Sequence, residues 1–125
     1  MNHRGPADLI GHMHEAAQQA CGYVEGMAMD EFLQDKRTQQ AVIFNLMILG
    51  EAATRLLKEH GEFLAGYPVV PWSSMKGMRN RLAHGYFDID LPVVWQTVQS
   101  SLPSLMTELP AIHAAADAAD DTPRR

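Results

Sequence analysis

Apolar residues recur along the chain at intervals of three and four, and no stretch of four to eight alternates as a half-buried strand does. Pro6, suited to a first helical turn, opens a predicted helix reaching about Met29. Leu9, Met13, Ala16, Ala17, Ala20, Tyr23, Val24 and Met27 form its apolar side. Asp30 to Asp35 reads as a turn. A second helix is predicted over Lys36–His60 and has two buried sides: Ile43, Met47, Gly50 and Thr54 follow one face, Asn45, Leu49, Ala52 and Leu56 the opposite one. In so small a domain, one of those sides is expected to meet a second protein chain. Gly61 stands where a helix C-terminal glycine would.

Tyr67 to Trp72 reads as a loop, because each proline disfavours helix at the residue before it. A third helix follows over Trp72–Ala83, closed or bent by Gly85. Asp90 is a natural cap for a fourth, with Pro92 in its first turn and Val94, Val98, Leu102 and Leu105 or Met106 as its stripe. Pro103 should kink or split it. The predicted architecture is all-α, a bundle of four or five helices spanning residues 1–113. Residues 114–125 lack large apolar groups and are expected to be a disordered tail.

At 125 residues, 46% of them hydrophobic and 20% charged, the chain is expected to be one folded domain. No apolar run approaches the ~20 residues of a membrane span, and the first residues carry no apolar signal core. Cys21 is the lone cysteine, which fits a reducing cytoplasm and excludes multi-cysteine zinc sites. The net charge of −5 argues against coating nucleic acid by bulk attraction. Distribution alters that picture. No acidic residue occurs between Glu62 and Asp88, whereas Lys76, Arg79, Arg81 and His84 all do. An acidic chain thus carries one local basic segment able to receive a phosphate.

Within it, Arg79, Asn80, His84 and Tyr86 stand out. Arginine presents a planar fork of donors suited to phosphate, and histidine exchanges protons near neutral pH. On a continuous helix Arg79 and His84 lie about 140° apart, whereas Asn80 and His84 share a face. Arg79 converges with them only through its long side chain, or if the helix ends near His84. A helix-end histidine beside a solvated arginine is the plain alternative. Glu51 interrupts a largely apolar row, so it either reaches water or pairs with a cation, Arg79 or Arg81. Asn45 is expected to bond backbone or a partner chain. His12 and His14 diverge by about 200° on a helix, so no metal site is expected there. Trp72 and Trp95 read as core anchors, and Asp88-Ile89-Asp90 as a cap rather than a catalytic dyad.

The ordered set Phe32-Leu33-Gln34-Asp35, Leu49-Gly50-Glu51-Ala52-Ala53, Tyr67-Pro68, Pro71-Trp72, Arg79 to Phe87, Val94-Trp95 and Leu102-Pro103 resembles the HepT-type toxins of the HEPN superfamily. The family pattern R-x-x-x-x-H-x-Y is met by Arg79, His84 and Tyr86, with Asn80 as the polar residue after the arginine. The resemblance implies a homodimeric, metal-independent endoribonuclease without cofactors, its Arg79/His84 sets facing each other across a cleft and RNA as substrate. It further implies a partner, a minimal nucleotidyltransferase antitoxin that transfers adenosine monophosphate to Tyr86 in a type VII-like toxin–antitoxin system. Tyr86 also reads as a simple packing aromatic. Asn80, Glu51 and Arg81 are the expected supporting residues. The competing expectation is a non-catalytic HEPN module that partners or regulates a nucleotidyltransferase in trans.

Overall fold

The computed structural model describes residues 5–120, and every regular element among them is helical. Helix α1 (Pro6–Tyr23) starts with Pro6 in its first turn, where a missing N–H costs nothing. It stops at Tyr23 rather than near Met29, because the chain turns and Gly26 adopts φ +80°, a conformation that side chains disfavour. Tyr23 is consequently exposed rather than part of the apolar side.

The expected turn over Asp30–Asp35 is instead a short helix, α2 (Met29–Leu33). Two interactions account for it. Glu31 Oε1 accepts the Ala28 N–H at 2.8 Å, fixing the first turn. Phe32 is fully buried against Trp95, with ring centroids 5.4 Å apart.

Helix α3 (Lys36–Glu59) is the centre of the bundle. Asp35 caps it, accepting the Thr38 hydroxyl at 2.7 Å and the Thr38 N–H at 3.1 Å. Those two bonds hold the Asp35 carboxyl below its ordinary value of 3.8. A depressed folded-state pKa contributes stability above the unfolded value, and that contribution disappears as pH falls through the folded one. Asp35→Asn should therefore be less stable than the parent at neutral pH. The gap in urea midpoint should close as pH drops below the ordinary carboxylate range. A gap that stays constant from pH 7 to pH 3 would contradict this assignment.

Asn45, Leu49, Ala52 and Leu56 are buried as expected, and Asn45 satisfies itself by donating to the Ala41 carbonyl at 2.9 Å. Of the other face, Gly50 and Thr54 are covered by a helix of the same chain, α5 (Trp72–His84). What α3 leaves open is a narrow strip: Phe44, 64% exposed, beside the half-buried Met47 and Ile48. By length and composition α3 could span a bilayer. Helices on two sides of it, with Glu51 and Arg55 on the strip, make it a core helix instead.

Gly61 does not close α3; it opens α4 (Gly61–Leu64), and His60 links the two. The following loop is tied to α5 by the Trp72 indole, which donates to the Tyr67 carbonyl at 3.1 Å. After Gly85 come a 3-10 turn (Tyr86–Asp88) and α6 (Leu91–Gln96). Asp90 caps α6, accepting the Val93 N–H at 3.2 Å. The chain then widens into a π-helical segment (Thr97–Ser101) before α7 (Leu102–Asp120). Pro103 cannot donate to the Gln99 carbonyl, so the expected split falls in the turn just ahead of it. The expected tail divides. Residues 114–120 continue α7, with the strong helix-former Ala116 fully buried, while residues 121–125 lie outside those described.

Across the bundle the order is α7, α1, α3, α5. With α5 and α7 at opposite ends of that order, an apolar groove of about 780 Å³ opens between α5 and the α6–α7 segment, floored by Leu46 and Leu49.

Candidate active site

Helix α5 presents different chemistry on each of its sides. One side, at Met75 and Arg79, lies hard against α3. A Cβ built on Gly50 would meet the Arg79 Cβ at 2.3 Å and the Met75 carbonyl oxygen at 2.9 Å, closer than real Cβ atoms approach. Only glycine permits this contact, and the contact fixes where the Arg79 side chain begins.

The Arg79 side chain is tucked in, with 24% of its surface exposed. Its Nη2 donates to Thr54 Oγ1 at 3.3 Å and lies 3.9 Å from Glu51 Oε1. The Thr54 hydroxyl donates to the Gly50 carbonyl at 2.8 Å, so its lone pairs are left for the guanidinium. The Arg79 Nε–H is buried without an acceptor. A guanidinium has five N–H donors; Thr54 and Glu51 engage Nη2 and the Nε–H is buried, which leaves the Nη1 pair for a ligand. That is the state suited to receiving an anion.

Glu51 pairs with Arg79 as one of the two expected options had it, but Arg55 is its closer partner, at 3.1 Å. The i,i+4 spacing of Glu51 and Arg55 carries that signal in the sequence. Arg81 is not the pairing partner. It extends from another side of α5, its Nη1 lying 3.4 Å from where a Gly77 Cβ would stand, and it lines the apolar groove with Met78 and Leu82. Arg79, Asn80, His84 and Tyr86 are absent from the lining of that groove. The motif residues and the apolar groove therefore occupy different faces of α5. Donors for phosphate matter more here than apolar volume.

Helix α5 runs unbroken to His84, so the helix does not end early enough to fold Arg79 and His84 together. The two stand about 140° apart around the axis and about 7.5 Å apart along it. Asn80 lies one turn before His84 on a shared face. His84 is exposed at the helix end, and Tyr86 is 63% exposed just beyond it. Among the described residues, Asn80, His84 and Tyr86 make no side-chain hydrogen bond, which leaves all three available to a ligand. Gly50 and Thr54 are the site residues that motif reading passed over. Their signal was present, a glycine and a threonine four apart on the face that meets Arg79.

No group of three or more His, Cys, Asp or Glu side chains able to hold a metal ion occurs among the described residues. Cys21 is half-buried with its Sγ 3.8 Å from the Val98 carbonyl oxygen, and burial pushes its thiol pKa up. It is a packing residue.

Comparison with known proteins agrees with the motif. The profile of the family described as ribonuclease HepT-like matches residues 13–112 and so includes α3, α5 and the turn after it. A protein of Methanocaldococcus jannaschii bearing an RNase name is 39% identical over 90 residues, 72% of each chain. The probable ribonuclease HepT of Thermococcus cleftensis is 36% identical over 102 residues, covering 82% of this chain and 90% of that one. No solved structure gives a significant match. With its helical bundle, its Arg79–His84–Tyr86 spacing and a profile match across four-fifths of its length, the chain belongs to the ribonuclease HepT-like family.

Proposed function

We propose that this protein is a metal-independent endoribonuclease, active as a homodimer in the cytoplasm, and the toxin of a type VII-like toxin–antitoxin pair. The supporting observation is the half-buried Arg79 guanidinium, anchored by Thr54 and Glu51 yet with donors to spare, on the same helix as an exposed His84. In the reaction, the RNA 2′-oxygen attacks the adjacent phosphorus as a base removes its proton. The bond from phosphorus to the 5′-oxygen breaks, and an acid protonates that oxygen, leaving a 2′,3′-cyclic phosphate and a 5′-hydroxyl end. Arg79 stabilises the charge that builds on the phosphoryl oxygens.

One chain brings one motif imidazole, on a different side of α5 from Arg79. A two-fold axis supplies a second imidazole and lets the Arg79 of one subunit meet the His84 of the other. The exposed strip at Phe44, Met47 and Ile48 lies on α3 beside Glu51 and supplies apolar surface for that contact. Phe44→Asp should convert a dimer to a monomer in light scattering and remove cleavage while leaving helicity intact. Full activity in a monomeric Phe44→Asp protein would defeat the dimeric site.

Regulation follows from Tyr86. Its exposed phenol stands two residues from His84, so adenylylation by a partner nucleotidyltransferase would place bulk and phosphate charge across the site. Purified protein should cut RNA in excess EDTA and lose that activity on adenylylation at Tyr86. RNA that is bound and left intact would favour the non-catalytic module instead.

A further inference from the structure

We propose that Phe87 is the platform on which an unpaired RNA base stacks, which makes single-stranded RNA the substrate class. This rests on the nuclease reading above and deepens it. Phe87 is 88% exposed, more than any other large apolar side chain described, and it lies three residues from His84. Its ring contacts Tyr86, with centroids 4.6 Å apart and planes inclined by 36°. Neither ring has another aromatic partner among the described residues.

The pair is held in place rather than trailing from a loop. Gly85 closes α5 by donating to the Arg81 carbonyl at 3.0 Å, and Asp88 N–H donates to the Gly85 carbonyl at 2.9 Å. Asp90 then caps α6 immediately afterwards. The turn is thus pinned at both ends, and its two rings project from the end of the helix that carries Arg79 and His84. The rings close the longest acid-free stretch of the sequence, from Phe63 to Phe87, with Lys76, Arg79, Arg81 and His84 in it.

A base has a π-face whatever its identity, so an exposed aromatic beside phosphate-binding cations is the arrangement that grips single strands without reading sequence. A base inside a duplex is already stacked on both faces and cannot use the platform. Dimer burial is the competing fate of an exposed ring. The strip at Phe44 on α3 already offers apolar surface for that purpose, whereas Tyr86 and Phe87 stand off the end of α5.

The test uses the full chain carrying His84→Ala, so that RNA is bound but not cut. Binding is read by fluorescence anisotropy with a labelled single-stranded RNA of about 12 nucleotides and with the same sequence as a duplex. Single strands should bind at least about 10-fold tighter than duplex. Adding Phe87→Ala should weaken single-strand binding by about 10-fold or more and leave the duplex unchanged, whereas Phe87→Trp should bind within about twofold of the parent. Phe87→Trp should also show tryptophan quenching by single strands alone. Equal binding by Phe87→Ala and its parent would overturn the proposal, as would a loss that accompanies dissociation of the dimer in light scattering. If the parent protein cuts RNA and Phe87→Ala cuts it equally well, stacking fails and the nuclease reading survives. If the parent cuts no RNA, the nuclease reading fails first.

Discussion

Replacing His84 by alanine should lower RNA cleavage by about 10²- to 10⁴-fold, the range that proton transfer by a positioned side chain contributes. Arg79→Ala should cost about 10²- to 10³-fold through lost charge stabilisation. Circular dichroism and the urea midpoint should barely move for His84→Ala, because that side chain is exposed and makes no side-chain hydrogen bond among the described residues. Arg79→Ala should lower the midpoint measurably, because it removes a half-buried side chain and its bond to Thr54 from the α3–α5 contact. Mixed dimers carry the test further. If one cleft needs both imidazoles, activity follows the square of the parent fraction, and an equal mixture retains about a quarter of it. If each chain cuts alone, activity follows the fraction itself and about half remains. A linear dependence would remove the two-histidine cleft while keeping His84 in the chemistry. Unchanged cleavage by both single variants would remove the site altogether.

The limits of α3 and α5, the cap at Asp90 and the break ahead of Pro103 were legible because each depends on local chemistry: capping side chains, proline geometry and a strong apolar period. The misread segments depended on partners distant in sequence. Asp30–Asp35 looked like a turn, but Phe32 is drawn under Trp95, 63 positions on by their numbers. Likewise the alanines of residues 114–120 offered no apolar bulk, yet small side chains are what a close helix contact accepts, and Ala116 is fully buried. The motif itself was plain in the sequence. The direction of its members was only half so. Helical geometry separates Arg79 from His84 by about 140° wherever the helix is unbroken, but whether it was unbroken required the fold. Arg81 illustrates the remainder. Two positions from Arg79, it lies about 200° around the helix and lines the apolar groove, so charge and proximity in sequence made it look like a partner for Glu51 when azimuth did not.

Gly50 should be nearly as sensitive as the motif itself, although it has no side chain to react. Gly50→Ala puts a methyl group 2.3 Å from the Arg79 Cβ and 2.9 Å from the Met75 carbonyl oxygen. Neither neighbour is the free end of a flexible chain: one is a Cβ fixed by its helix, the other is backbone. The two helices must separate, at an overpacking cost of about 1–3 kcal/mol, against which alanine's better helix propensity returns up to about 1 kcal/mol. The thermal midpoint should fall, and cleavage per folded molecule should fall further. Moving α5 shifts the guanidinium relative to Thr54 and Glu51, and a misplacement of about 1 Å at a reacting centre costs up to about 100-fold. Ala53→Gly is the matched control: Ala53 is buried on α3, and its substitution loses stability through backbone freedom and a lost methyl while adding no atom between α3 and α5. Gly50→Ala and Ala53→Gly brought to equal stability by temperature should differ in cleavage, with only Gly50→Ala impaired. Equal activity at equal stability would show that the close approach serves folding alone and that Arg79 is positioned by something other than the α3–α5 contact.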